Sequence, residues 1–292
     1  MTDQVLEIYD DEYANTYDER FLVSEYSKQS SDFELKILKK NLNEGDKWLD
    51  VGCGTGYYLS VFPNLERWGV DISAAMLKIA ESRNPTAKFI NEDFREFLSQ
   101  TNETWDFVSC MWTPYNYVNS LYEFDLFIEN LVRVVEENGN LFIPIFDLED
   151  IRPHTVLDYR WDSEMPGYEG AVILTSSTWT WKEKISGKEH KHLIATQVGY
   201  FLDKLSGSFE ELRVVRYPVY RPDWVSRKAI LCRKKRKEQV ETRITVDEDP
   251  SLYPIHNEEN NDGILKTTEN LSTKDLLKLL LTRFMKKLKN EK

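Results

Sequence analysis

Short apolar runs alternate with segments of helical periodicity over residues 31–237. The apolar runs predict five buried strands: Lys47–Val51, Glu66–Ile72, Ala87–Ile90, Trp105–Met111 and Asn140–Phe146. Helical spacing predicts helices that follow the capping box at Ser31 and the cap at Ser73, and a third helix over Phe124–Val135. Strands that alternate with helices are typical of a mainly parallel sheet with right-handed crossovers.

A period of two replaces this alternation after Phe146. It predicts an antiparallel meander, inserted into the sheet or laid over it, from three segments: Val156–Trp161, Ala171–Trp181 and His192–Leu202. Two closing strands follow at Leu212–Tyr217 and Lys228–Cys232, and the helix before them is expected to be short or missing, over Asp203–Phe209. The predicted fold class is therefore α/β, with an antiparallel insertion over residues 148–205 of a domain spanning 1–237.

The C-terminal part of the chain has a different composition. Residues 238–271 are polar and acidic without a sustained period, which predicts a flexible linker. Residues 272–292 place leucines at helical spacing, with seven Lys or Arg and two acidic residues from Lys274 onward. This pattern predicts a basic amphipathic helix that binds a membrane surface or a protein partner, with packing against its own domain as the alternative.

Composition and charge limit the classes of function. The chain has 292 residues, of which 41% are hydrophobic and 13% aromatic, and this is enough apolar surface for a core. Its 38 Lys and Arg against 50 Asp and Glu give a net charge of -12. An acidic surface is repelled by phosphate backbones, so a nucleic-acid partner is not expected.

The sequence predicts neither export nor a membrane span. The chain opens without a basic and then apolar leader, and no apolar run approaches the ~18–20 residues that cross a bilayer. Cys53, Cys110 and Cys232 are far apart, so neither a disulfide framework nor a zinc site is expected. We expect a cytoplasmic protein, which the C-terminal helix could hold at the inner face of a membrane.

A glycine-rich segment carries the most informative chemistry. The sequence WLDVGCGTGY over residues 48–57 places Gly52, Gly54 and Gly56 directly after the first predicted strand. Glycine allows a sharp turn and a close approach of the backbone to a ligand. The spacing is not the dinucleotide fingerprint GxGxxG, and no Gly-Lys-Ser/Thr follows that would form a Walker loop. Together with Asp50, the segment resembles the nucleoside- and amino-acid-binding loop of class I S-adenosylmethionine (SAM) methyltransferases.

Three further elements extend this resemblance over residues 45–147. Asp71 ends the second predicted strand, where its carboxylate can accept both ribose hydroxyls. Asp93 and Phe94 follow the third strand. There the carboxylate of Asp93 can accept a hydrogen bond from the adenine amino group, and the ring of Phe94 can pack on the base. The fourth strand leads to Trp112, where the transferred methyl is expected, since ligands of open α/β sheets bind at the carboxyl ends of the strands.

The resemblance implies a fold, a cofactor and a set of binding residues. The fold is a Rossmann-like seven-stranded sheet with the antiparallel insertion after strand five. The cofactor is SAM, with S-adenosylhomocysteine (SAH) as its product. The implied cofactor-binding residues are Tyr17, Asp50, Gly52, Cys53, Gly54, Gly56, Asp71, Ile72, Met76, Asp93, Phe94, Met111 and Trp112.

The flanking segments resemble the amino-sugar N,N-dimethyltransferases of macrolide pathways. Tyr13, Tyr17 and Asp18 match their YxxxYD pattern, and the sequence CMW at 110–112 matches their CMF after strand four. The resemblance implies that the insertion forms the floor of a substrate pocket and that the N-terminal segment closes over it. Tyr117 stands where those enzymes carry a histidine. We therefore expect methyl transfer to N or O of a small polar metabolite, specifically a sugar nucleotide or glycan precursor.

Candidates for catalysis follow from the chemistry of an in-line displacement. Positioning supplies much of the acceleration, and a base is needed when the nucleophile arrives protonated. Tyr17 and Tyr117 are candidates for holding the cofactor and orienting the nucleophile, with aromatic packing as the alternative, and His192 is a candidate base. The expected substrate-binding residues are Tyr13, Tyr115, Asn116, Trp179 and Trp181.

Two other interpretations stay open. His190 and His192 share one face of a predicted strand, a spacing that zinc sites use, but no metal is expected because no further Cys/His cluster accompanies them. The WTPY sequence at 112–115 resembles the Asn-Pro-Pro-Tyr loop of amino-directed nucleic-acid methyltransferases without its Asn and first Pro. A protein or nucleic-acid methyltransferase is thus an alternative, as is a SAM-binding scaffold recruited through residues 272–292.

Overall fold

A computed structural model describes residues 2–24, 27–151, 158–159, 170–175, 178–183, 186–194, 196–218 and 227–247. All of them belong to the first of the two units into which the chain divides, Met1–Leu252 and Tyr253–Lys292. The predicted helix over 272–292 and the predicted linker beyond residue 247 lie outside the described residues.

The elements of the described residues follow the predicted alternation. The helices α1 to α9 are Thr2–Ile8, Asp11–Phe21, Ser27–Asn41, Tyr57–Ser60, Ala74–Arg83, Phe94–Gln100, Leu121–Arg133, Leu148–Ile151 and Val198–Leu205, and a 3-10 turn covers Pro114–Tyr117. The strands β1 to β12 are Lys47–Val51, Glu66–Asp71, Lys88–Asn91, Trp105–Ser109, Val135–Ile145, Asp158–Tyr159, Gly170–Thr175, Thr178–Glu183, Glu189–Ile194, Phe209–Arg216, Lys228–Lys235 and Arg243–Asp247.

The main sheet has the strand order β12-β10-β11-β5-β4-β1-β2-β3. Strands β1 to β5 are parallel, β11 runs antiparallel between β5 and β10, and β12 is parallel to β10. This arrangement confirms the predicted α/β fold class and both closing strands. A second, antiparallel sheet with the order β6-β7-β8-β9 follows β5, which confirms the insertion.

Neighbouring apolar residues of the central strands belong to two different cores, one on each face of the main sheet. Trp48 belongs to the cluster on one face of the sheet, and its neighbour Leu49 belongs to the cluster on the other. Phe107 and Val108 divide in the same way, and all four side chains are fully buried. A sheet covered on both faces explains why these strands are continuous apolar runs.

Of the two helix starts predicted from caps, the one at Ser73 is confirmed and the one at Ser31 is wrong. Ser73 caps α5 by accepting a hydrogen bond from the Met76 amide at 3.2 Å, as expected. The predicted start at Ser31 is wrong, because α3 already begins at Ser27. The Ser31 hydroxyl lies inside the helix and donates to the Ser27 carbonyl at 3.3 Å, an alternative that serine has to capping.

The predicted strand His192–Leu202 is wrong in its second half, where α9 covers Val198–Leu205. The apolar positions 198, 201, 202 and 205 have the spacing of one helix face, and Phe201 and Leu205 are buried. The helix before the sixth strand is therefore present and short, with eight residues, and it lies before most of the predicted segment Asp203–Phe209. The strand ends at Ile194, and the alternation of residue types continues past it without indicating a strand.

The main sheet has eight strands where seven were expected, because β12 lies within the predicted linker 238–271. It pairs with β10 at the edge of the sheet. Ile244 and Val246 alternate with polar residues as in a strand, but both are about half exposed, so the strand contributes little to the core. Among the described residues, no helix combines the length and the apolar character needed to cross a membrane.

Candidate active site

A cleft opens at the carboxyl ends of β1, β2, β3 and β4. It encloses about 730 Å³ of open space, counting the solvent at its mouth. The lining residues come from the N-terminal segment, the glycine loop, the segments that follow β2, β3 and β4, and the 3-10 turn: Val5, Tyr9, Tyr17, Gly52, Gly54, Asp71, Ile72, Met76, Asp93, Phe94, Arg95, Met111, Trp112, Pro114 and Tyr117. Ten of the residues predicted to bind the cofactor are among them.

The loop after β1 brings backbone rather than side chains to the cleft. Gly52 and Gly54 have φ values of +69° and +52°, which L side chains rarely adopt. A β-carbon at Gly52 would lie 2.4 Å from Cγ of Pro114, whereas one at Gly54 would meet nothing within 4 Å. Gly52 is therefore needed for packing, and Gly54 leaves open space for a ligand.

Asp71 closes the loop against the end of β2. Its two carboxylate oxygens accept hydrogen bonds from the amides of Gly54 at 2.8 Å and Ser73 at 2.9 Å. Burial raises the pKa of Asp71, and these amide hydrogen bonds oppose that effect. A carboxylate has about four acceptor sites, so Asp71 can also accept hydrogen bonds from ligand hydroxyls.

Asp93 caps the start of α6, and its carboxylate pairs with Arg95, a residue that was not predicted to belong to the site. Oδ1 of Asp93 accepts hydrogen bonds from the amide and Nε of Arg95, both at 2.9 Å, and Oδ2 forms an ion pair with the Arg95 guanidinium. Arg95 also contacts Glu123 at 3.1 Å. Any adenine amino group bound by Asp93 therefore shares the carboxylate with Arg95, whose side chain lines the same part of the cleft.

Three residues predicted to bind the cofactor do not line the cleft. Asp50 is 1% exposed and accepts a hydrogen bond from Ser109 at 2.6 Å beneath the loop. Cys53 is buried against Gly69, where an added β-carbon would lie 2.6 Å from its sulfur. Gly56 has a φ of +65° and packs on α5, so it serves the fold.

The buried carboxyl of Asp50 should make the stability of the folded chain depend on pH. Burial raises its pKa from 3.8 to about 7, against hydrogen bonds from Ser109 and the Met111 amide. The folded state thus binds this proton more tightly than the unfolded chain, and the contribution to stability is lost as the pH rises from 3.8 to about 7. Urea unfolding over that window should show the wild type losing stability relative to Asp50→Asn. A constant difference between the two proteins would contradict this assignment.

Aromatic residues gather where β4 ends. Trp112 has a φ of +58°, and its indole N–H donates to the Tyr58 hydroxyl at 3.1 Å. The guanidinium of Arg227 lies over the Trp112 ring at 4.4 Å and pairs with the buried carboxylate of Glu34 at 2.9 Å. These contacts fix the ring of Trp112 at the wall of the cleft, which Tyr117 also lines.

The N-terminal helices cover the cleft, as the resemblance implied. The Ser73 hydroxyl donates to the Tyr9 carbonyl at 2.7 Å, and the Thr55 hydroxyl donates to Asp18 at 2.6 Å. Lys188 of the insertion contacts Asp10 at 2.6 Å. The N-terminal segment is thus bonded to the glycine loop, to the start of α5 and to the insertion. Its residues Val5, Tyr9 and Tyr17 line the cleft.

A bulge in the insertion separates the two histidines that the sequence placed on one face. Trp181 pairs with His190 but Trp179 pairs with Leu193, so β9 holds one extra residue there. His192 adopts a φ of +55° and is exposed. His190 is 2% exposed and lies beside Tyr117. The structure therefore does not bring His192, the predicted base, to the cleft, and it brings His190 near it.

The predicted substrate-binding residues do not line the cleft. Tyr115 is fully buried in the core, where its hydroxyl donates to the Pro144 carbonyl at 2.9 Å. Asn116 is buried and donates to the Thr113 hydroxyl at 3.2 Å. The remaining three pack around the insertion: Tyr13 donates to Glu183 at 2.5 Å, Trp179 packs on Phe146, and Trp181 stacks on His190.

Six residues at or beside the cleft were missed. Arg95 follows Asp93 by two positions, and Tyr9 lies in the tyrosine-rich start of the chain, so both had a weak local signal. His190 and Pro114 stood out in the sequence only as part of a possible zinc spacing and of the WTPY sequence, and Val5 and Glu183 had no signal. No group of three or more His, Cys, Asp or Glu that could hold a metal ion occurs among the residues that the structure describes.

Comparison with known proteins agrees with this geometry. Residues 49–139 match a family model described as a methyltransferase domain. A dTDP-3-amino-3,6-dideoxy-alpha-D-glucopyranose N,N-dimethyltransferase from Streptomyces fradiae is 28% identical over 137 residues, which are 45% of this chain and 52% of the relative. An uncharacterized protein of Methanocaldococcus jannaschii is 30% identical over 144 residues, 49% of this chain and 53% of the relative. The chain thus spans about half the length of the curated relatives it matches.

Solved structures share the fold over a larger part of the chain. An S-adenosylmethionine-dependent methyltransferase from Clostridium acetobutylicum superposes with a TM-score of 0.55 and 18% identity, covering 77% of this chain and 98% of that one. Residues 49–139, which carry the glycine loop and the acidic strand ends, thus match a methyltransferase domain with SAM as its cofactor, and the solved structure shares the fold of the sheet around them.

Proposed function

We propose that the chain transfers the methyl group of SAM to a nitrogen or oxygen atom of a small polar metabolite. The observation that carries this proposal is a cleft at the strand ends whose lining includes Gly54, Asp71, Asp93 and Tyr117. When bound, SAM supplies an electrophilic methyl group on a sulfonium ion. The residues of the chain then have to bind the nucleoside, exclude water and orient the acceptor.

The residues present fit each part of the cofactor. Gly54 leaves open space beside its backbone, and Asp71 would accept the ribose hydroxyls. Ile72 and Phe94 offer apolar surfaces for the base, next to the carboxylate of Asp93. The positive sulfonium would lie among aromatic rings, whose faces attract cations: Tyr9, Tyr17, Trp112 and Tyr117.

The covered cleft supports a small acceptor. Helices α1 and α2 close it from one side, and contacts such as Lys188 with Asp10 hold them to the insertion. A net charge of -12 also disfavours binding to a nucleic acid. The relative from Streptomyces fradiae is named for an amino sugar linked to a nucleotide. A nucleotide-linked sugar or another glycan precursor is accordingly the specific substrate class that we propose.

A substrate panel tests this proposal. The protein is incubated with SAM carrying a labelled methyl group and, separately, nucleotide-linked amino sugars, nucleotide-linked neutral sugars, a cell metabolite extract, DNA and cell protein. We expect SAH release together with label in a small metabolite that gains the mass of one methylene, and no transfer by Asp71→Ala. Label found only in protein or DNA would overturn the proposal in favour of a macromolecular substrate. SAM binding without any transfer would indicate a scaffold.

A further inference from the structure

A chain of hydrogen bonds leads from the methyl end of the cleft into the insertion. Nδ1 of His190 lies 2.5 Å from the Tyr117 hydroxyl, and Nε2 of His190 lies 2.8 Å from Oε1 of Glu183. His190 is 2% exposed and Glu183 is 1% exposed. The proposed function assigns no role to these two buried groups.

Glu183 fixes the direction of the hydrogen bonds. Burial raises the pKa of Glu183, but hydrogen bonds from His190, Ser186 and Tyr13 outweigh it and lower that pKa from 4.5 to about 2. The ionised carboxylate can only accept hydrogen bonds, so Nε2 of His190 carries a hydrogen. Nδ1 is the ring nitrogen that faces the Tyr117 hydroxyl, and the relay proposed below requires it to accept a hydrogen bond from that hydroxyl.

With this direction the Tyr117 oxygen is a hydrogen-bond acceptor on the side of the cleft. The Tyr9 hydroxyl, 3.1 Å away, then donates to it, and an acceptor hydroxyl or amine would bind its second lone pair or take the place of Tyr9. Burial raises the pKa of Tyr117, which keeps it neutral and able to pass a proton on. Trp181 stacks on the His190 ring with 4.6 Å between centroids, and an aromatic face stabilises a cation.

We infer that Tyr117, His190 and Glu183 form a proton relay, and that the acceptor atom is therefore a hydroxyl oxygen or an amine nitrogen that must lose a proton. This inference rests on the proposed function. A carboxylate or thioether acceptor has no proton to give. Tyr117 is the catalytic residue because it touches the acceptor, and His190 and Glu183 are positioning residues that act through it.

The relay balances protons and electrons. The proton of an acceptor hydroxyl, or of an amine that arrives as an ammonium ion, moves to Oη of Tyr117, and the Tyr117 proton moves to Nδ1 of His190. The acceptor uses the electron pair that remains to bond the methyl carbon, and the pair of the broken carbon–sulfur bond stays on sulfur. The imidazolium that forms faces the carboxylate of Glu183 on one side and the ring of Trp181 on the other.

The hydrogen-bond direction is tested first without cofactor. Long-range ¹H–¹⁵N spectra of the ligand-free protein, with the His190 signals assigned through His190→Gln, report which ring nitrogen carries hydrogen. We expect hydrogen on Nε2 and a bare Nδ1. Hydrogen on Nδ1, either alone or together with Nε2, would overturn the relay, because Tyr117 could then not donate to His190.

Kinetics then test the relay in the full chain. With an amine or hydroxyl acceptor, His190→Gln and Tyr117→Phe should each lower kcat by about 100- to 10,000-fold, the usual range for a lost proton transfer. KM and the affinity for SAH should change little, and the double variant should lose no more than the single ones, because the residues act as a unit. His192→Gln is the matched control, since His192 lies on the same strand but is exposed.

The outcomes separate the two proposals. If the wild type transfers no methyl group to any small acceptor, the proposed function fails and the relay fails with it. If the wild type is active and His190→Gln equals His192→Gln in kcat, the relay alone is overturned. Should His190→Gln not fold, Tyr117→Phe decides the question, because it keeps the aromatic ring and removes the hydroxyl.

Discussion

Replacing Asp71 by alanine is expected to weaken the binding of SAM and SAH by about 100-fold or more. Each hydrogen bond to a charged group contributes about 1.5–3 kcal/mol, and two ribose hydroxyls would lose their acceptor. Every 1.4 kcal/mol corresponds to about tenfold in affinity. The loop would also lose its closure, because the amides of Gly54 and Ser73 donate to this carboxylate.

Equilibrium dialysis with labelled SAM measures this loss, with thermal unfolding as a check that the fold is intact. Asp203→Ala is the matched control, because Asp203 is an exposed aspartate of α9 that does not line the cleft. Equal affinities for Asp71→Ala and Asp203→Ala would contradict the role of Asp71 in holding the nucleoside.

Alanine at Gly52 is expected to lower the free energy of unfolding by about 2–5 kcal/mol. The positive φ costs an L residue about 1–2 kcal/mol, and the overlap with Pro114 adds about 1–3 kcal/mol of overpacking. Alanine at Gly54 should cost only the conformational part, because its β-carbon would meet nothing within 4 Å. That methyl group would instead occupy space in the cleft, so Gly54→Ala should weaken SAH binding.

Gly45→Ala separates the two effects. Gly45 has a φ of +88° and open space around it, and it does not line the cleft, so the variant should show conformational strain alone. Urea unfolding and calorimetric titration with SAH are measured on the three alanine variants. The interpretation of the loop is wrong if Gly52→Ala and Gly45→Ala are destabilised equally, or if Gly54→Ala binds SAH as Gly45→Ala does.

The cofactor side of the cleft could be predicted because its signals are local. The glycine loop follows β1 directly, and Asp71 and Asp93 stand at the ends of the next two strands. Carboxyl ends of parallel strands meet at one edge of a sheet, so the sequence order alone brings these residues together. The same reasoning failed for Asp50, Cys53 and Gly56, because it does not distinguish residues that support a loop from residues that face the ligand.

The methyl end could not be predicted, because contacts distant in the sequence assemble it. Tyr13 and Glu183 are 170 positions apart, and Tyr117 and His190 are 73 apart. A single bulged residue in β9 turns His192 outward and leaves His190 in the buried position. A period of two cannot reveal such a bulge, since one extra residue exchanges the faces of a strand.

The most direct test of the cofactor assignment is a calorimetric titration of the wild-type chain with SAH, with the dinucleotide NAD as a comparison. Saturable binding of one SAH per chain is expected, and no saturable binding of NAD, because the glycine loop is not the dinucleotide fingerprint. Absence of saturable SAH binding up to millimolar concentration, or tighter binding of NAD than of SAH, would contradict the assignment of the cleft to SAM.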